Sequence, residues 1–432
     1  MTSNQPAFSQ DHDALLASLA ATPDLLLIQD LDGVCMSLVR DPLTRRIERR
    51  YLDAAHALAG SFQVLTNGEH IGARGVNAIV DRVFDADAEP GAHGRYLPGL
   101  AAGGVQHQDR HGQVRHPGVS EAELAFLQSV PTRATRFLSS LLLGAPYHVE
   151  PHRVASLVHA AVLDNPASPT LNLNSLHQYF DGRPALYAQL QQQAQAFLQS
   201  LLHDAQAEGL QGAFFLHYAP NLGRDADGNE RIKPADAHSA GTTDFQCMLT
   251  GAVKETGVLA LLNQHIHQRT GRWPLGEHFN VRQAPRTLDA LVALAREKID
   301  PADMPRIVGV GDTVTSVAQT VDGRTEWMRG GSDRGFLTLI QRLGEAFGTD
   351  NRVVYIDSSG GEVLRPALDV AHLRRGVGDS ALCAHDAARG ITDADDPLRL
   401  DVVFPGGHAQ YVDFFCALAQ RRSAVGAAHG RD

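Results

Sequence analysis

Lysine is scarce in this sequence of 432 residues, and runs of basic residues are missing. Among 38 basic residues the lysines are Lys233, Lys254 and Lys298, and 49 acidic residues bring the formal net charge to −11. Without a basic run to bind a phosphate backbone, we expect no nucleic acid partner. Any chemistry that needs a flexible ammonium group must use one of these three lysines.

Cysteine pairs and long apolar runs are also missing. The four cysteines are Cys35, Cys247, Cys383 and Cys416. They form no Cys-x-x-Cys pair, which argues against a disulfide framework and a thiolate zinc site. No window reaches the roughly 18 apolar residues of a membrane span, and the first twenty residues lack the basic start and apolar stretch of a signal peptide. We therefore expect a cytoplasmic protein with no membrane association.

Composition and length predict a globular protein with more than one domain. Hydrophobic residues make up 43% and charged residues 20% of the chain, which is typical of packed domains. Because a single core stops growing near about 250 to 300 residues, a chain of this length predicts about two to three domains.

Short apolar runs that end in small polar residues predict a parallel sheet. DLLLIQDLDGV and SFQVLTNGEH flank a helical stretch near residues 48–59, and MPRIVGVGDTVTS repeats the pattern later. Strand, helix and strand in this order are typical of a doubly wound α/β fold. Because ligands of such sheets bind beyond the carboxyl ends of the strands, we expect the functional site there.

A shift in composition predicts an inserted domain. From about residue 86 to 243 the sequence is rich in Gly, His and Pro and then in helical and loop-forming segments. We therefore predict a core built from residues 1–85 and 244–432, and a second domain from residues 86–243. In this division TDFQCMLTGAVKETG resumes the core sheet as a strand that leads into a helix.

Asp30 and Asp32 are candidates for a catalytic metal site. They lie two residues apart at the end of a buried strand, so their side chains point to one face. Two carboxylates there repel each other unless a cation such as Mg²⁺ lies between them. One aspartate could then attack phosphorus while the other transfers the proton of the leaving group, and Gly33 would let the backbone approach the phosphate. An ordinary turn is the alternative.

Two further strand ends carry candidate residues. Thr66, Asn67 and Gly68 could bind phosphate oxygens at the start of the next helix, or serve only as a helix cap. Asp312 could complete the metal site. Its segment, GVGDTVTS, lacks the third glycine of Gly-x-Gly-x-x-Gly, which argues against a dinucleotide cofactor.

Lys254 is the candidate for neutralising the charge of a pentacovalent phosphorus centre. It opens the helix KETGVLALLNQ, and a helix start faces the carboxyl edge of the sheet, whereas its rival Lys298 ends a helix. Lys233 lies in a loop of the insert and is a candidate substrate contact.

Asp-Leu-Asp-Gly-Val, Leu-Thr-Asn-Gly, a lysine that opens a helix and a Gly-Asp after an apolar strand together resemble the haloacid dehalogenase superfamily of phosphohydrolases. The resemblance implies a Rossmann-like α/β core with a parallel sheet, and a C2-type α/β cap that selects the substrate. It makes Asp30 the nucleophile that forms an aspartyl-phosphate and Asp32 the general acid and base. Thr66 would bind the phosphoryl group, and Lys254 would stabilise it. Mg²⁺ would be held by Asp30, Asp312 and the backbone carbonyl of Asp32.

Longer segments resemble one family within this superfamily. LLLIQDLDGVCMSLVRDPLTR, VLTNGEHIGARGVN, WMRGGSDRGFL and VVFPGGHAQYVDFF are similar to the salt-tolerance phosphatases that release the compatible solute glucosylglycerol. This implies 2-O-glucosylglycerol 3-phosphate as the small-molecule substrate, held by polar cap residues. The candidate ligands are His217, Tyr218, Asn221, Arg224 and Lys233. Ser316 stands where the superfamily often has a second acid, and Asp333 is one candidate to support the lysine or the metal waters instead.

Other functions are open at this point. A sister phosphatase for sucrose, trehalose or mannosylglycerate phosphate would keep the same mechanism. Asp30-x-Asp32 is also the pattern of metal-dependent glycosyltransferases, which bind a nucleotide sugar, and an inactive sensor could bind a sugar phosphate in the same pocket. The sequence leaves the oligomeric state open.

Overall fold

The computed structural model describes residues 8–84, 89–321, 324–375 and 386–429, and Cys383 lies outside these ranges. In chain order the strands are β1 (Leu25–Gln29), β2 (Phe62–Leu65), β3 (Gly99–Ala101), β4 (Gln106–Gln108), β5 (Val114–Arg115), β6 (Val162–Leu163), β7 (Thr170–Asn172), β8 (Phe214–Ala219), β9 (Asn221–Arg224), β10 (Glu230–Ile232), β11 (Asp244–Leu249), β12 (Arg306–Gly311), β13 (Thr315–Val321), β14 (Arg324–Gly330), β15 (Arg352–Ile356) and β16 (Val402–Phe404). The helices are α1 (His12–Ala20), α2 (Arg49–Ala57), α3 (Val76–Asp81), α4 (Glu121–Leu143), α5 (Pro151–Ala161), α6 (Asn174–Tyr179), α7 (Pro184–Ala207), α8 (Lys254–Thr270), α9 (Leu288–Lys298), α10 (Arg334–Phe347), α11 (Val370–Arg375) and α12 (Gly407–His429).

The larger sheet has eight strands in the order β16-β15-β12-β1-β2-β3-β4-β5. The strands from β16 to β3 run parallel, whereas β4 and β5 extend one edge in antiparallel pairing. The segments DLLLIQDLDGV, SFQVLTNGEH and MPRIVGVGDTVTS form β1, β2 and β12, which lie side by side in the middle of this sheet. The predicted α/β core with a parallel sheet is therefore confirmed.

Both faces of the larger sheet are covered, which explains why β1 is apolar throughout. Leu25 and Leu27 pack in one layer with residues of α1, α2 and α12. Leu26 and Ile28 pack in the other layer with residues of α8, α9 and α10. Successive side chains of a strand point to opposite faces, so a strand buried on both faces needs an unbroken apolar run.

The smaller sheet has four antiparallel strands in the order β6-β7-β11-β8. Helices α4, α5 and α7 pack on it around a third hydrophobic core. This unit is the predicted α/β cap. In the part of the chain that the structure describes, no helix combines the length and apolar character needed to cross a bilayer.

The domain boundaries predicted at residues 86 and 243 are wrong. Strands β3, β4 and β5 belong to the larger sheet, so the core extends to Arg115 before the cap begins. Strand β11, predicted as a core strand, pairs with β7 and β8 of the cap sheet. Its residues Phe245, Cys247, Met248 and Leu249 are typical of a buried strand in either sheet, so composition alone could not assign it. The core resumes at α8.

Candidate active site

Three parallel strands end at neighbouring points, and each is followed directly by a candidate residue. Asp30 follows β1, Thr66 follows β2 and Asp312 follows β12. Strand β1 pairs with both β2 and β12, and the amide of Asp30 donates to the carbonyl of Val310, 3.0 Å away. The carboxyl edge of the sheet therefore brings these three residues to one place, as expected for an open α/β sheet.

Lys254 lies between two buried carboxylates. Its Nζ atom is 2.7 Å from Oδ2 of Asp30 and 2.7 Å from Oδ1 of Asp333. Burial opposes the charge on Lys254, but Asp30 and Asp333 outweigh this effect and raise the pKa of the ammonium group. The rival Lys298 is about half exposed, at 49%, and pairs with its neighbour Glu297. The structure thus places Lys254 at the strand ends, and Lys298 elsewhere.

Asp333 holds the loop that follows β12. Its Oδ2 atom accepts hydrogen bonds from the amides of Asp312 and Thr313, at 2.9 and 3.0 Å, while Oδ1 faces Lys254. Both carboxylate oxygens of Asp333 are therefore engaged. Asp333 therefore contacts both Lys254 and the backbone amide of Asp312. Support of the lysine is one of the two roles for which Asp333 was a candidate, because Ser316 stands where the superfamily often has a second acid. Ser316 itself bonds to Asp393, away from the cluster.

Three acids meet at this edge, and if all three were ionised their charge would exceed what Lys254 can balance. Oxygens of Asp30, Asp312 and Asp333 lie within 4.8 Å of one another, and all three residues are buried. Burial raises the pKa of Asp30 to about 7 against the opposing effect of Lys254. Burial and the carboxylates of Asp333 and Asp30 raise the pKa of Asp312 well above its usual range. A cation bound here would offset the repulsion between these buried carboxylates and favour their ionised forms.

Asp312 supplies the observation that fits a metal ion. Its Oδ2 atom is buried and accepts no hydrogen bond from the described residues. Gly33 lies directly against this oxygen, because a Cβ atom at position 33 would be 2.1 Å from it. A buried carboxylate oxygen without a partner, next to two other acids, is a suitable ligand for Mg²⁺. Gly33 thus borders Asp312; it does not line the cavity described below.

Asp32 lies apart from the acid cluster. Its side chain is 34% exposed, and its Oδ2 atom is 2.9 Å from Nη1 of the buried Arg45. The side chains of Asp32 and Asp30 therefore differ in environment, as a proton donor and a nucleophile would require. The metal role expected for Asp32 involves only its backbone carbonyl and stays a prediction.

The segment after β2 faces the same cavity. The amide of Gly68 donates to Oγ1 of Thr66, 3.2 Å away. Asn67 Nδ2 and His217 Nε2 are 2.8 Å apart, so this core loop contacts the cap directly. Thr66, Asn67 and Gly68 line a cavity together with Asp30 and other residues; these are Asp32, Arg45 and Asp312 of the core and Asn172, Asn174, Asp244 and Gln246 of the cap.

None of the five predicted cap ligands lines the cavity above Asp30, and they differ in where they lie. His217 lines a neighbouring cavity that also contains Lys254, and its Nδ1 atom bonds to Glu230. The prediction for Tyr218 is wrong. Successive residues of β8 face opposite sides of the sheet, and Tyr218 packs in the cap core against Phe245, where burial raises its pKa to about 12.

The other predicted cap ligands do not reach the cavity above Asp30. Lys233 is buried in a small adjoining cavity that Asp312 and Arg365 also line, and burial together with Arg365 lowers its pKa to about 8. Asn221 accepts from the amide of Gly331, and Arg224 pairs with Glu230. Both side chains make these contacts within the protein and also line the neighbouring cavity that contains His217 and Lys254.

Sequence reasoning missed the cap residues that do line the cavity. Asn172, Asn174, Asp244 and Gln246 occupy alternate positions in TLNLN and DFQC. Polar residues at every second position of a strand are the signal for one solvated or functional face. That signal was present, but it could not show that the face covers the core. Arg45 and Arg365 were missed as well, since both lie in loops.

A parallel α/β core with acids and a lysine at its strand ends, covered by a second α/β unit, has the architecture of capped phosphohydrolases of the haloacid dehalogenase type. The chain belongs to the glucosylglycerol-phosphate phosphatase family, whose model matches residues 24–419. It is 50% identical over 422 residues to the glucosylglycerol-phosphate phosphatase of Synechocystis sp., covering 98% of this chain and 99% of that protein.

Two solved structures are also similar to this chain. The trehalose-6-phosphate phosphatase C-terminal domain of C. albicans matches with a TM-score of 0.45 and 10% identity, covering 97% of this chain and 99% of that chain. The trehalose-6-phosphate phosphatase of Aspergillus fumigatus matches with a TM-score of 0.38 and 10% identity, covering 96% of this chain and 100% of that chain.

Proposed function

We propose that this protein is a Mg²⁺-dependent phosphatase that hydrolyses 2-O-glucosylglycerol 3-phosphate to glucosylglycerol and phosphate. The observation that carries the proposal is the contact of Lys254 with both Asp30 and Asp333, because Asp30 also lines the cavity between the core and the cap. Family membership supports the choice of substrate. In this proposal the product is a compatible solute, and the cytoplasmic location expected from the sequence stays a prediction.

Asp30 is the proposed nucleophile. Its carboxylate is held in place by Lys254 and by the amide of Leu31, which donates to Oδ1 at 2.8 Å. A carboxylate oxygen attacks phosphorus, an O–P bond forms to Asp30, and the bond from phosphorus to the glycerol oxygen breaks. The ammonium group of Lys254 offsets the negative charge that develops on the phosphoryl oxygens.

Asp32 is the proposed general acid and base. It lines the cavity beside Asp30, and its side chain is 34% exposed. It donates a proton to the departing glycerol oxygen and then removes one from the water that hydrolyses the aspartyl-phosphate. Arg45, which contacts Asp32 in this structure, fixes the orientation of the carboxyl group.

The phosphate has further ligands in the segment after β2. The hydroxyl of Thr66 and the amide of Gly68 bond to each other here, and both are proposed to turn to phosphoryl oxygens of the substrate. Asp30, Asp312 and the backbone carbonyl of Asp32 are the proposed holders of Mg²⁺. The ion would supply positive charge at the phosphoryl group and balance the acid cluster.

A phosphate-release assay tests this function. The panel contains 2-O-glucosylglycerol 3-phosphate and the phosphates of sucrose, trehalose and mannosylglycerate, each with Mg²⁺ or with a chelator. We expect the first ester to be preferred and release to require Mg²⁺. Asp30→Asn should lower turnover by at least about a thousandfold. Asp401→Asn is the control. Asp401 is also buried, but it directly precedes β16 and so lies at the amino ends of the parallel strands, whereas Asp30 follows the carboxyl end of β1.

Three results would contradict the proposal. Asp30→Asn with near-normal turnover would remove the nucleophile, and preference for another ester would replace the substrate while leaving the mechanism intact. Consumption of a nucleotide sugar without release of phosphate would instead support a glycosyltransferase.

A further inference from the structure

One face of the cap sheet is polar and covers the core. In β11, Phe245 and Cys247 point into the cap core, so Asp244 and Gln246, which alternate with them, face the other way. Asp244 lies opposite Asn172 of β7 in the antiparallel register. These polar side chains line the cavity above Asp30. This face of the cap sheet therefore presents polar groups to any ligand that occupies the cavity.

Gln246 presents an unpaired acceptor to the cavity. Its Nε2 atom is 3.0 Å from Oγ1 of Thr170, and that hydroxyl donates its own proton to the carbonyl of Ser168, 2.8 Å away. Thr170 can therefore only accept from Gln246, which fixes the orientation of the carboxamide. The Oε1 atom of Gln246 is buried and has no partner among the described residues.

Asn174 and Asp244 offer two more acceptors. Oδ1 of Asn174 is buried and has no hydrogen-bond partner within the described ranges. Asn172 donates from Nδ2 to Oδ1 of Asp244 at 2.6 Å, and its own Oδ1 accepts from the amide of Asn174 at 3.0 Å. Asn172 thus orients Asp244 and leaves the second carboxylate oxygen available. Burial raises the pKa of Asp244 only to about 6, so this group is mostly an acceptor at pH 7.5.

Arg365 supplies donors from the core side of the same cavity. Its Nε and Nη1 atoms are buried, and the structure gives them no partner among the residues that it describes. The residue lies in the loop between β15 and α11 and lines the cavity with Asp244 and Gln246. Unpaired buried polar atoms are costly and rare. Their concentration around one cavity points to a ligand that completes them.

We propose that Asn174, Asp244 and Gln246 accept hydrogen bonds from hydroxyl groups of the substrate's glycosyl moiety, while Arg365 donates to its oxygens. Three acceptors, one of them a carboxylate, require a ligand rich in donors and disfavour a second anionic group. A sugar meets this requirement, since each hydroxyl both donates and accepts. Asn172 is a positioning residue that acts through Asp244. This inference rests on the proposed function, because it assigns the part of that substrate remote from the phosphate.

Matched esters with and without the glycosyl group test the inference. Gln246→Leu keeps the approximate volume of the side chain and removes the acceptor. We expect it to lower kcat/KM for 2-O-glucosylglycerol 3-phosphate by about 10- to 100-fold, mainly through KM, because one hydroxyl is left unpaired. For p-nitrophenyl phosphate, which has no sugar, kcat/KM should change less than about threefold.

Gln63→Leu is the control for loss of a buried glutamine. Its Oε1 atom is also buried without a partner among the described residues, but it lies on β2 and does not line the cavity. This variant should change kcat/KM for neither ester. Asn174→Ala is a second variant of the proposed subsite, for use if Gln246→Leu fails to fold in thermal unfolding, and it should also affect the glycosyl ester selectively.

The outcomes separate this inference from the proposed function. Equal losses on both esters, or no loss on either, would overturn the glycosyl subsite even if glucosylglycerol phosphate is the preferred substrate. If the wild-type protein prefers another sugar phosphate, the proposed substrate fails, and the same comparison is made with that ester. A wild-type protein that gains nothing from any glycosyl group would overturn both.

Discussion

Lys254 is the residue on which the acid cluster depends. It is one of three lysines in the chain, and the position at the start of α8 was enough to select it from sequence. What the sequence could not give is its contact with Asp333, because the two residues meet only through the packing of α8 beside α10. The positions of Asp30, Lys254 and Asp312 at one edge of the sheet were thus predictable, and Asp333, which joins the last two, was only a candidate.

Replacing Lys254 should impair both activity and stability. Lys254→Met leaves buried carboxylates without their ammonium group, so we expect the free energy of unfolding to fall by about 3 kcal/mol. Turnover should fall by about 100- to 1,000-fold, because phosphoryl charge is no longer offset. Lys298→Met, at the exposed lysine, should change stability by less than about 0.5 kcal/mol. Urea unfolding and phosphate release measure both effects, and an active Lys254→Met enzyme would contradict the assignment.

Binding of Mg²⁺ should stabilise the folded protein through Asp312. At a free Mg²⁺ concentration of about 100 times Kd, the free energy of unfolding should rise by about 2.7 kcal/mol. Asp312→Asn removes a charged oxygen of the cluster, so most of this increase should disappear, whereas Asp401→Asn should retain it. Urea unfolding with and without MgCl₂ gives the comparison independently of catalysis. An undiminished increase in Asp312→Asn would remove Asp312 from the metal site.

His70 should make stability depend on pH. Burial lowers its pKa to about 3, and its Nε2 atom donates to the carbonyl of Gly99 at 3.3 Å. Between about pH 6.5 and 3 the unfolded state binds the proton and the folded state does not, so this contribution to stability falls as pH falls. From pH 7 to 5 the wild-type protein should lose about 2 kcal/mol more than His70→Gln. Urea unfolding at both pH values tests this, and equal losses would refute it.

The existence of a strand was easier to predict from sequence than the sheet to which it belongs. The apolar runs of β1, β2 and β12 and the polar residues after them identify parallel core strands, because a strand covered on both faces must be apolar. The same argument misassigned β11, whose alternate polar residues belong to a sheet with only one apolar face. Strands β3, β4 and β5 were missed because they are only two or three residues long, and β3 and β4 also contain glycine or glutamine.

Gly99 shows how closely β3 lies against β2. Its φ is +139°, and a Cβ atom there would be 2.2 Å from the carbonyl oxygen of Val64. Gly99→Ala must therefore displace the paired strand, and we expect it to lower the free energy of unfolding by at least about 3 kcal/mol. Gly60→Ala is the control, because φ is +82° but the position is open, and it should cost about 1 kcal/mol. Similar costs in urea unfolding would argue against this packing.

The cap and core meet along buried polar contacts that no single segment of sequence encodes. Oε1 of Glu69, in the core, accepts from the amides of Ala167 and Ser168 of the cap, both at 2.7 Å. Oγ1 of Thr315 donates to the carbonyl of Asn221 at 2.7 Å. These contacts hold the polar face of the cap sheet over Asp30. Residues of the core edge could be found from motifs, but the cap ligands depend on this docking and had to be read from the structure.

The central claim is that Asp30 takes the phosphoryl group of the substrate onto its own carboxylate. The enzyme is mixed with 2-O-glucosylglycerol 3-phosphate, and the reaction is stopped with acid before one catalytic cycle is complete. Borohydride then reduces any acyl phosphate on the protein to the corresponding alcohol. Mass spectrometry of the peptide that contains Asp30 should find homoserine at position 30 when substrate and Mg²⁺ are both present, and aspartate when either is omitted. Homoserine at a different position, or unmodified Asp30 during full turnover, would contradict the account.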